Sequence, residues 1–90
     1  RDSMDLSAYP NPFKDQVQIV FNNAGKVQVE QIQLSIFDMS ANLKQRIRPV
    51  SIEGEIVRFV WEPDPSVPAG LYHCVIQTGT KIHRIRLLKM

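Results

Sequence analysis

The chain has 90 residues, a net charge of +2 and a single cysteine, and these values already exclude several kinds of protein. A chain of this length forms one small domain that buries about two-thirds of its unfolded surface, so it leaves little room for an internal cofactor pocket. The charge is too small to indicate a nucleic-acid binder, a lone cysteine forms no internal disulfide, and no apolar run approaches the roughly 20 residues that span a bilayer. Because the chain starts at Arg1, without a signal-peptide pattern, we expect it to be a fragment of a longer protein.

The N-terminal part predicts a linker, a stiff opening and a first strand. Residues 1–8 are polar and aperiodic, and we expect them to be the end of a linker, with the domain spanning residues 9–90. In residues 9–13 two prolines fix the backbone and remove two donors, which predicts an extended opening with an aromatic ring at either end. Residues 16–21 alternate between apolar and polar side chains, which predicts a strand with one buried face.

Further strands are predicted wherever apolar and polar residues alternate between turn signals. They span residues 26–38, 43–52, 55–61, 71–78 and 81–88.

Three irregularities are expected within these strands. The apolar positions of residues 26–38 change phase, which predicts a bulge or short connection near residues 30–31. Residues 39–42 predict a hairpin turn in which Asn42 takes a positive φ. Pro49 interrupts its strand, so that strand bends or lies at a sheet edge.

About seven short strands at a spacing of roughly ten residues, without an amphipathic helix, predict an all-β protein. The spacing indicates a small immunoglobulin-like antiparallel β-sandwich. The Cys…Trp…Cys pattern of antibody domains is absent, so the predicted likeness is one of architecture.

Several short motifs follow one another in a recognisable order. They are Tyr9-Pro10-Asn11-Pro12-Phe13, an apolar strand ending in Phe21, residues 36–43 (which match an "IYDxxGxxV" hairpin), Trp61, Pro68-Ala69-Gly70-Leu71-Tyr72 and a basic strand closing on Lys89-Met90. From about residue 9 to residue 90 the chain resembles the C-terminal sorting domain of the type IX (Por) secretion system of Gram-negative bacteria. One departure is Ala41, which stands where the hairpin usually has glycine.

The resemblance implies a secretion signal that acts by recognition and not by catalysis. Cargo would reach the periplasm through a separate N-terminal signal and then cross the outer membrane to the cell surface or the medium. The implied partners are protein components of an outer-membrane secretion machine, through which the domain contacts the membrane. A sortase-like protease usually removes the domain and joins the cargo to an anionic lipopolysaccharide, although some members keep it. No cofactor, metal, nucleic acid or small-molecule substrate is expected.

The terminal ribbon is the candidate recognition surface, because it is basic and no acid follows Asp64. Unpaired backbone groups of an exposed terminal strand can extend a partner's sheet, and its cations would guide docking onto an acidic partner. A merely solvated strand face explains the same charges equally well. The residues expected to contact the translocon are Gly70, Tyr72, Lys81, Arg84, Arg86, Leu88, Lys89 and Met90.

Residues that can carry chemistry have simpler structural interpretations here. Cys74 is predicted to be a small core residue, with His73 on the opposite face of its strand. A metal site shared by His73 and His83 would lack further ligands. Trp61 is expected in the core or at its rim. The acids at turns and strand ends are expected to be solvated, so we predict no catalytic residue; they are Asp38, Glu53, Glu55, Glu62 and Asp64.

Two other functions stay open at this point. A structural immunoglobulin-like module, such as the flagellar hook-capping class, has a similar opening motif and Trp…Gly…Tyr pattern. It need not end its protein, whereas a sorting signal must, so the stop after Met90 favours the signal. A carbohydrate-binding module would instead present Tyr9, Trp61 or Tyr72 on a flat, exposed platform.

Overall fold

The computed structural model describes residues 5–90, and strands account for most of them. No helix in this range is long and apolar enough to cross a membrane. A one-turn 3-10 helix, Val29–Gln31, precedes the third strand. The strands of the described range are β1 (Leu6–Tyr9), β2 (Val17–Asn22), β3 (Ile32–Asp38), β4 (Leu43–Ile47), β5 (Ser51–Glu53), β6 (Ile56–Trp61), β7 (Gly70–Thr78) and β8 (Lys81–Lys89).

The strands form two four-stranded antiparallel sheets. The first sheet has the order β1-β2-β6-β5, and the second has the order β4-β3-β7-β8. In immunoglobulin terms the first order is ABED, and the second is CFG with β4 added beside β3 in the position of strand C′. The predicted immunoglobulin-like sandwich is therefore confirmed, with eight strands in the described range instead of about seven.

The hydrophobic core lies between the two sheets, because apolar side chains alternate with others along the strands and face inwards. Successive side chains of a strand point to opposite faces, so every second residue is buried. Each large apolar side chain removed from water in this way contributes about 1.5–3 kcal/mol. The buried set includes Val17, Ile19, Phe21, Leu34, Ile36, Val57, Phe59, Trp61, Cys74, Ile76, Ile85 and Leu87.

The predicted linker is wrong for residues 6–8, which belong to β1. This strand pairs with β2 over its whole length, and Leu6 is only 4% exposed. Only Leu6 and Ala8 turn towards the core, so the alternation is too short to stand out in the sequence. Residues 1–4 of the predicted linker lie outside the described residues.

The strand predicted at the start of residues 26–38 is also wrong, because the chain crosses between the sheets there. The side-chain amide of Asn23 donates to the carbonyl oxygen of Val27 at 2.8 Å, and its oxygen accepts the N–H of Val27 at 3.0 Å. These two hydrogen bonds close a loop that turns the partly buried Val27 against the core. Of the two alternatives predicted near residues 30–31, the short connection is confirmed as the 3-10 turn Val29–Gln31, and the bulge is wrong.

The hairpin between β3 and β4 is confirmed, but Ala41 has the positive φ of 64° and not Asn42. The N–H groups of Ser40 and Asn42 both donate to Oδ1 of Asp38 at 2.9 Å, and the amide of Asn42 donates to Oδ2. Asn42 is thus held by its hydrogen bonds to Asp38, and the left-handed conformation falls on the residue before it.

Pro49 acts as predicted, since it lies between β4 and β5. These two strands belong to different sheets, and each is an edge strand. A proline is accommodated at such a break because no ladder hydrogen bond is needed from it.

Candidate functional site

An aromatic cluster closes one end of the sandwich and joins three parts of the chain. Trp61, on β6, contacts the ring of Phe13 at a centroid distance of 5.6 Å and that of Tyr72, on β7, at 5.3 Å. All three residues are at most 3% exposed. The indole N–H of Trp61 donates to Oε1 of Gln45 on β4 at 3.1 Å. The opening segment is therefore fixed against both sheets.

This attachment brings the opening segment along the outer edge of β8. The side chain of Asn11 behaves like a short piece of strand, because its amide donates to the carbonyl oxygen of Arg86 and its oxygen accepts the N–H of Leu88, both at 2.9 Å. The backbone of Phe13 continues the pattern. It donates to the carbonyl oxygen of Leu88 at 2.9 Å and accepts the N–H of Met90 at 2.8 Å.

The prediction of a free terminal edge is consequently correct for only part of β8. Leu88 donates away from β7, and the register between β7 and β8 is regular, so Ile82 and Arg84 also turn their backbone groups to the outer edge. No hydrogen bond from another described segment reaches the backbone groups of these two residues. Within residues 5–90, no hydrogen bond covers the outer edge of the first half of β8, whereas Asn11 and Phe13 cover the second half.

Two of the predicted recognition residues lie on β7, the inner strand of the terminal hairpin, and one of them is buried. Tyr72 is buried, its hydroxyl donates to the carbonyl oxygen of Pro68, and burial raises the pKa of this hydroxyl. A tyrosine bonded to the backbone a few residues upstream is a recurring feature of immunoglobulin-like domains. Gly70 begins β7 opposite Lys89 with a φ of 146°, a conformation that strains any residue with a side chain.

The remaining predicted residues lie either on the outer face of β8 or at its two ends. Arg84, Arg86 and Leu88 point to the outer surface of the second sheet, since they alternate with the buried Ile85 and Leu87. The other three are at the ends of the strand: Lys81 begins it, Lys89 ends it, and Met90 follows with 58% exposure.

The register adds residues that sequence reasoning missed. One row of neighbours crosses the whole sheet, from β8 through β7 and β3 to β4. It consists of Arg84, Val75, Ser35 and Arg46. The next row runs from Arg86 through His73 and Phe37 to Leu43, and Leu71 lies opposite Leu88. We call the part of the outer surface that these residues form the basic face; it comprises Ser35, Phe37, Leu43, Arg46, Leu71, His73, Val75, Arg84, Arg86 and Leu88. The signal that marks Arg46 is its position next to Ile47, the one residue of β4 that is partly buried, but its neighbours across the sheet depend on long-range pairing.

The thiol and the histidines form no reactive site. Cys74 is fully buried, and burial raises the pKa of its thiol to about 12, so the thiol stays protonated. His73 belongs to the outward positions of β7, whereas His83 lies opposite the inward-facing Ile76 and packs edge-on against Phe21 at 5.0 Å. The two histidines therefore lie on opposite faces, and no group of three or more metal-ligating side chains occurs among residues 5–90.

The acids shape turns or lie in exposed pairs. Hydrogen bonds from the backbone N–H groups of Asn42 and Ser40 hold the pKa of Asp38 below its usual value, with a contribution from the amide of Asn42. The N–H of Ser66 lowers the pKa of Asp64 in the same way. A carboxylate oxygen of Glu53 lies 3.8 Å from a guanidinium nitrogen of Arg58. A carboxylate oxygen of Glu55 lies 4.0 Å from the ammonium nitrogen of Lys26. Four of the five acids are therefore engaged by turn hydrogen bonds or by exposed ion pairs.

The aromatic residues do not form a sugar-binding platform. Trp61 and Tyr72 are 1% and 3% exposed, in agreement with the prediction that Trp61 lies in the core. Tyr9 is 47% exposed, and it lies on the first sheet, where its hydroxyl donates to the side chain of Gln18. A flat platform built from these three rings is thus excluded in this fold.

Comparison with known proteins agrees with the motifs. The family profile described as "Secretion system C-terminal sorting domain" matches residues 7–58, which is more than half of the chain and runs from β1 into β6. No curated protein and no solved structure matches the chain. The motif around Gly70 and the terminal strand lie beyond the matched range, so their likeness to the family rests on their own residues. The chain belongs to the family of C-terminal sorting domains of the type IX secretion system.

Proposed function

We propose that the folded sandwich is a portable signal that carries a cargo protein from the periplasm across the outer membrane, and that it does so by recognition alone. Membership of the family implies that the domain interacts with the type IX secretion machinery and that its cargo reaches the cell surface or the medium. The proposal adds the route, the recognition residues and the absence of chemistry.

The self-contained core supports portability. A signal that is attached to different cargoes has to fold without help from them. Here the two sheets bury a continuous apolar cluster between them, and Phe13 ties the opening segment into the same cluster. No disulfide contributes, because Cys74 is free.

Recognition is assigned to the exposed side of the terminal hairpin. Arg84, Arg86 and Leu88 are the residues proposed to contact the translocon, with Lys81, Lys89 and Met90 at the ends of β8. Gly70 and Tyr72 hold the hairpin in shape. A sortase-like protease is proposed as a second partner, acting ahead of β1 where the cargo is joined.

Recognition without catalysis fits the state of the reactive groups. The only cysteine is a protonated core thiol, and the carboxylates of Asp38 and Asp64 are engaged by backbone N–H groups. A nucleophile needs an adjacent base and an orienting group, whereas the Cys74 thiol is protonated and belongs to the apolar cluster of the core.

The family match over residues 7–58 is the observation that carries the proposal. It is tested by joining the domain to a reporter that has its own N-terminal export signal, in a strain with a working type IX system. We expect the reporter on the cell surface or in the medium. The matched control is the same reporter without the domain, which should stay in the periplasm.

Retention of the fused reporter in the periplasm would contradict the proposal, provided that the domain is folded. A second fusion with a flexible linker ahead of β1 separates a blocked junction from a missing signal. Resistance of the domain to protease in a periplasmic extract gives the check on folding.

A further inference from the structure

The cations of this protein are concentrated on one sheet. The second sheet contains six lysines and arginines and a single acid, Asp38 at the end of β3. The first sheet contains one cation, Arg58, and one acid, Glu53, which lie 3.8 Å apart. The six cations are Lys44, Arg46, Lys81, Arg84, Arg86 and Lys89.

The kind of cation also differs between the centre and the ends of the second sheet. Lys81 and Lys89 are the first and last residues of β8. Within the basic face the cations are Arg46, Arg84 and Arg86, which are all arginines. Arginine is enriched and lysine depleted at the centres of protein interfaces, because the planar guanidinium loses its water more readily and binds a carboxylate through two hydrogen bonds.

The arginines flank a centre in which apolar side chains alternate with polar ones. Arg46 and Arg84 are three strand spacings apart, or about 14 Å, while Arg84 and Arg86 are about 7 Å apart along β8. Between them lie the half-buried Phe37, His73 and Val75 and the buried Ser35. Four of the large apolar side chains that this fold leaves exposed are also on the outer positions of this sheet, and they are Leu43, Leu71, Ile82 and Leu88.

The carboxylate nearest to this face along the strands is already engaged. Asp38 accepts hydrogen bonds from Ser40 and Asn42 in the hairpin turn. Its charge is therefore directed into the turn, and the arginines have no acid on their own sheet with which to pair. An acidic surface of another protein supplies the missing complement.

The backbone edge of β8 offers a partner protein a smaller contact surface than the basic face does. Asn11 and Phe13 already bind the carbonyl oxygen of Arg86, both outward groups of Leu88 and the N–H of Met90. Among residues 5–90, an added strand would find the outward groups of Ile82 and Arg84 and the N–H of Arg86 without such a partner, which is too short for a stable pairing. Side-chain contacts across the whole sheet are the larger surface available to a partner.

We propose that the basic face is a docking surface for a protein partner whose own surface has carboxylates on either side of an apolar strip. This inference rests on the proposed function, since it identifies the partner as a component of the secretion machinery. It differs from recognition by the terminal strand alone because it includes Phe37, Arg46 and Val75, which lie outside the final hairpin or on its inner strand.

The charge test compares two triple variants of the reporter fusion with equal net charge. The first, Arg46→Gln with Arg84→Gln and Arg86→Gln, neutralises the basic face. The control, Lys14→Gln with Lys26→Gln and Arg58→Gln, removes the same charge elsewhere. Loss of arginines that pair with carboxylates at an interface centre should reduce export by about tenfold or more, while the control exports normally. Equal urea midpoints establish that both are folded.

The partner test places a photo-crosslinking residue at Val75 in one fusion and at Val20 in another. Both are half-buried valines on outward strand faces, and Val20 lies beside Arg58 on the first sheet. We expect Val75 to form an adduct with a protein of the secretion machinery that has an acidic surface, and we expect the neutral triple variant to lose that adduct. Val20 should form none.

The outcomes separate the two proposals. If the unchanged fusion is not exported, the proposed function is wrong whatever the face does. If it is exported and the arginine variant is exported equally well, the docking surface is wrong and the sorting function stands. An adduct at Val75 with lipopolysaccharide, with lipid or with a second copy of this domain also overturns the docking proposal, as does the absence of an adduct.

Discussion

The contact between Asn11 and β8 gives the most specific prediction about this fold. Asn11→Ala removes two hydrogen bonds, one to the carbonyl oxygen of Arg86 and one from the N–H of Leu88, each of 2.9 Å. A hydrogen bond contributes about 0.5–1.5 kcal/mol net, so the pair is worth about 1–3 kcal/mol. Because Asn11 is exposed and water can replace both partners, we expect a loss of about 1–2 kcal/mol from the free energy of unfolding.

Urea unfolding measures this loss directly. With a slope of about 1 kcal/mol per molar urea for a domain of this size, the midpoint should fall by about 1–2 M. The matched control is Asn22→Ala, because Asn22 is an exposed strand residue whose side chain makes no hydrogen bond in the described part of the chain. Its effect should stay within about 0.5 kcal/mol.

Amide hydrogen exchange tests the same contact residue by residue. In the unchanged protein the N–H groups of Leu88 and Met90 should exchange slowly, and those of Ile82 and Arg84 quickly, although three of these residues belong to β8 and Met90 directly follows it. Asn11→Ala should make Leu88 exchange faster and leave residues in the middle of β7 unaffected. Equal midpoints for the two alanine variants, or unchanged exchange at Leu88, would refute the assignment of Asn11 as a partner of β8.

Three further predictions concern single residues. Ala41→Gly should stabilise the domain by up to about 1 kcal/mol in urea unfolding, because Ala41 has a φ of 64° and glycine adopts that conformation without strain; a loss of stability would contradict the turn geometry. Cys74 should resist alkylation by iodoacetamide in the native protein and react once the protein is unfolded, since the thiol is buried and its pKa is raised to about 12; rapid native reaction would show that this part of the core is open. The pKa of Asp38 is lowered by hydrogen bonds from Asn42 and Ser40, so its carboxylate stabilises the fold above the ordinary value of 3.8 and that contribution is lost as the pH falls through the lowered value. The unchanged protein should therefore have a higher melting temperature than Asp38→Ala near neutral pH, and this difference should shrink in acid. A difference that is constant with pH would argue against a stabilising role of the carboxylate charge.

Strands whose buried residues repeat at least three times, such as β2, β6 and β7, are predicted correctly. Val57, Phe59 and Trp61 in β6 are an example, since three apolar residues in alternate positions are typical of a half-buried strand and do not fit the period of a helix. β1 has only Leu6 and Ala8 facing the core, and tertiary pairing with β2 is what makes it a strand. The prediction for residues 26–31 failed for the opposite reason, because two valines in alternate positions suggested a strand where Asn23 closes a loop.

The residue types of the candidate site could be predicted from the sequence, but their arrangement on one face could not. The sequence shows that Arg84 and Arg86 alternate with apolar residues, and the structure confirms that they share one face. Arg46 is 38 positions earlier than Arg84 in the numbering, and only the pairing of β4 with β3 and of β3 with β7 aligns the two. The covering of β8 by Asn11 likewise depends on a contact between residues 75 positions apart, which local pattern does not report.

The most direct test of the sorting function is where a fused reporter ends up in two strains that differ only in the type IX translocon. With this domain at its C-terminal end, the reporter should be found at the cell surface or in the medium of the competent strain, and in the periplasm of the strain that lacks the translocon. The same distribution in both strains, whether outside the cell or within the periplasm, would show that the sandwich is not the signal read by that system.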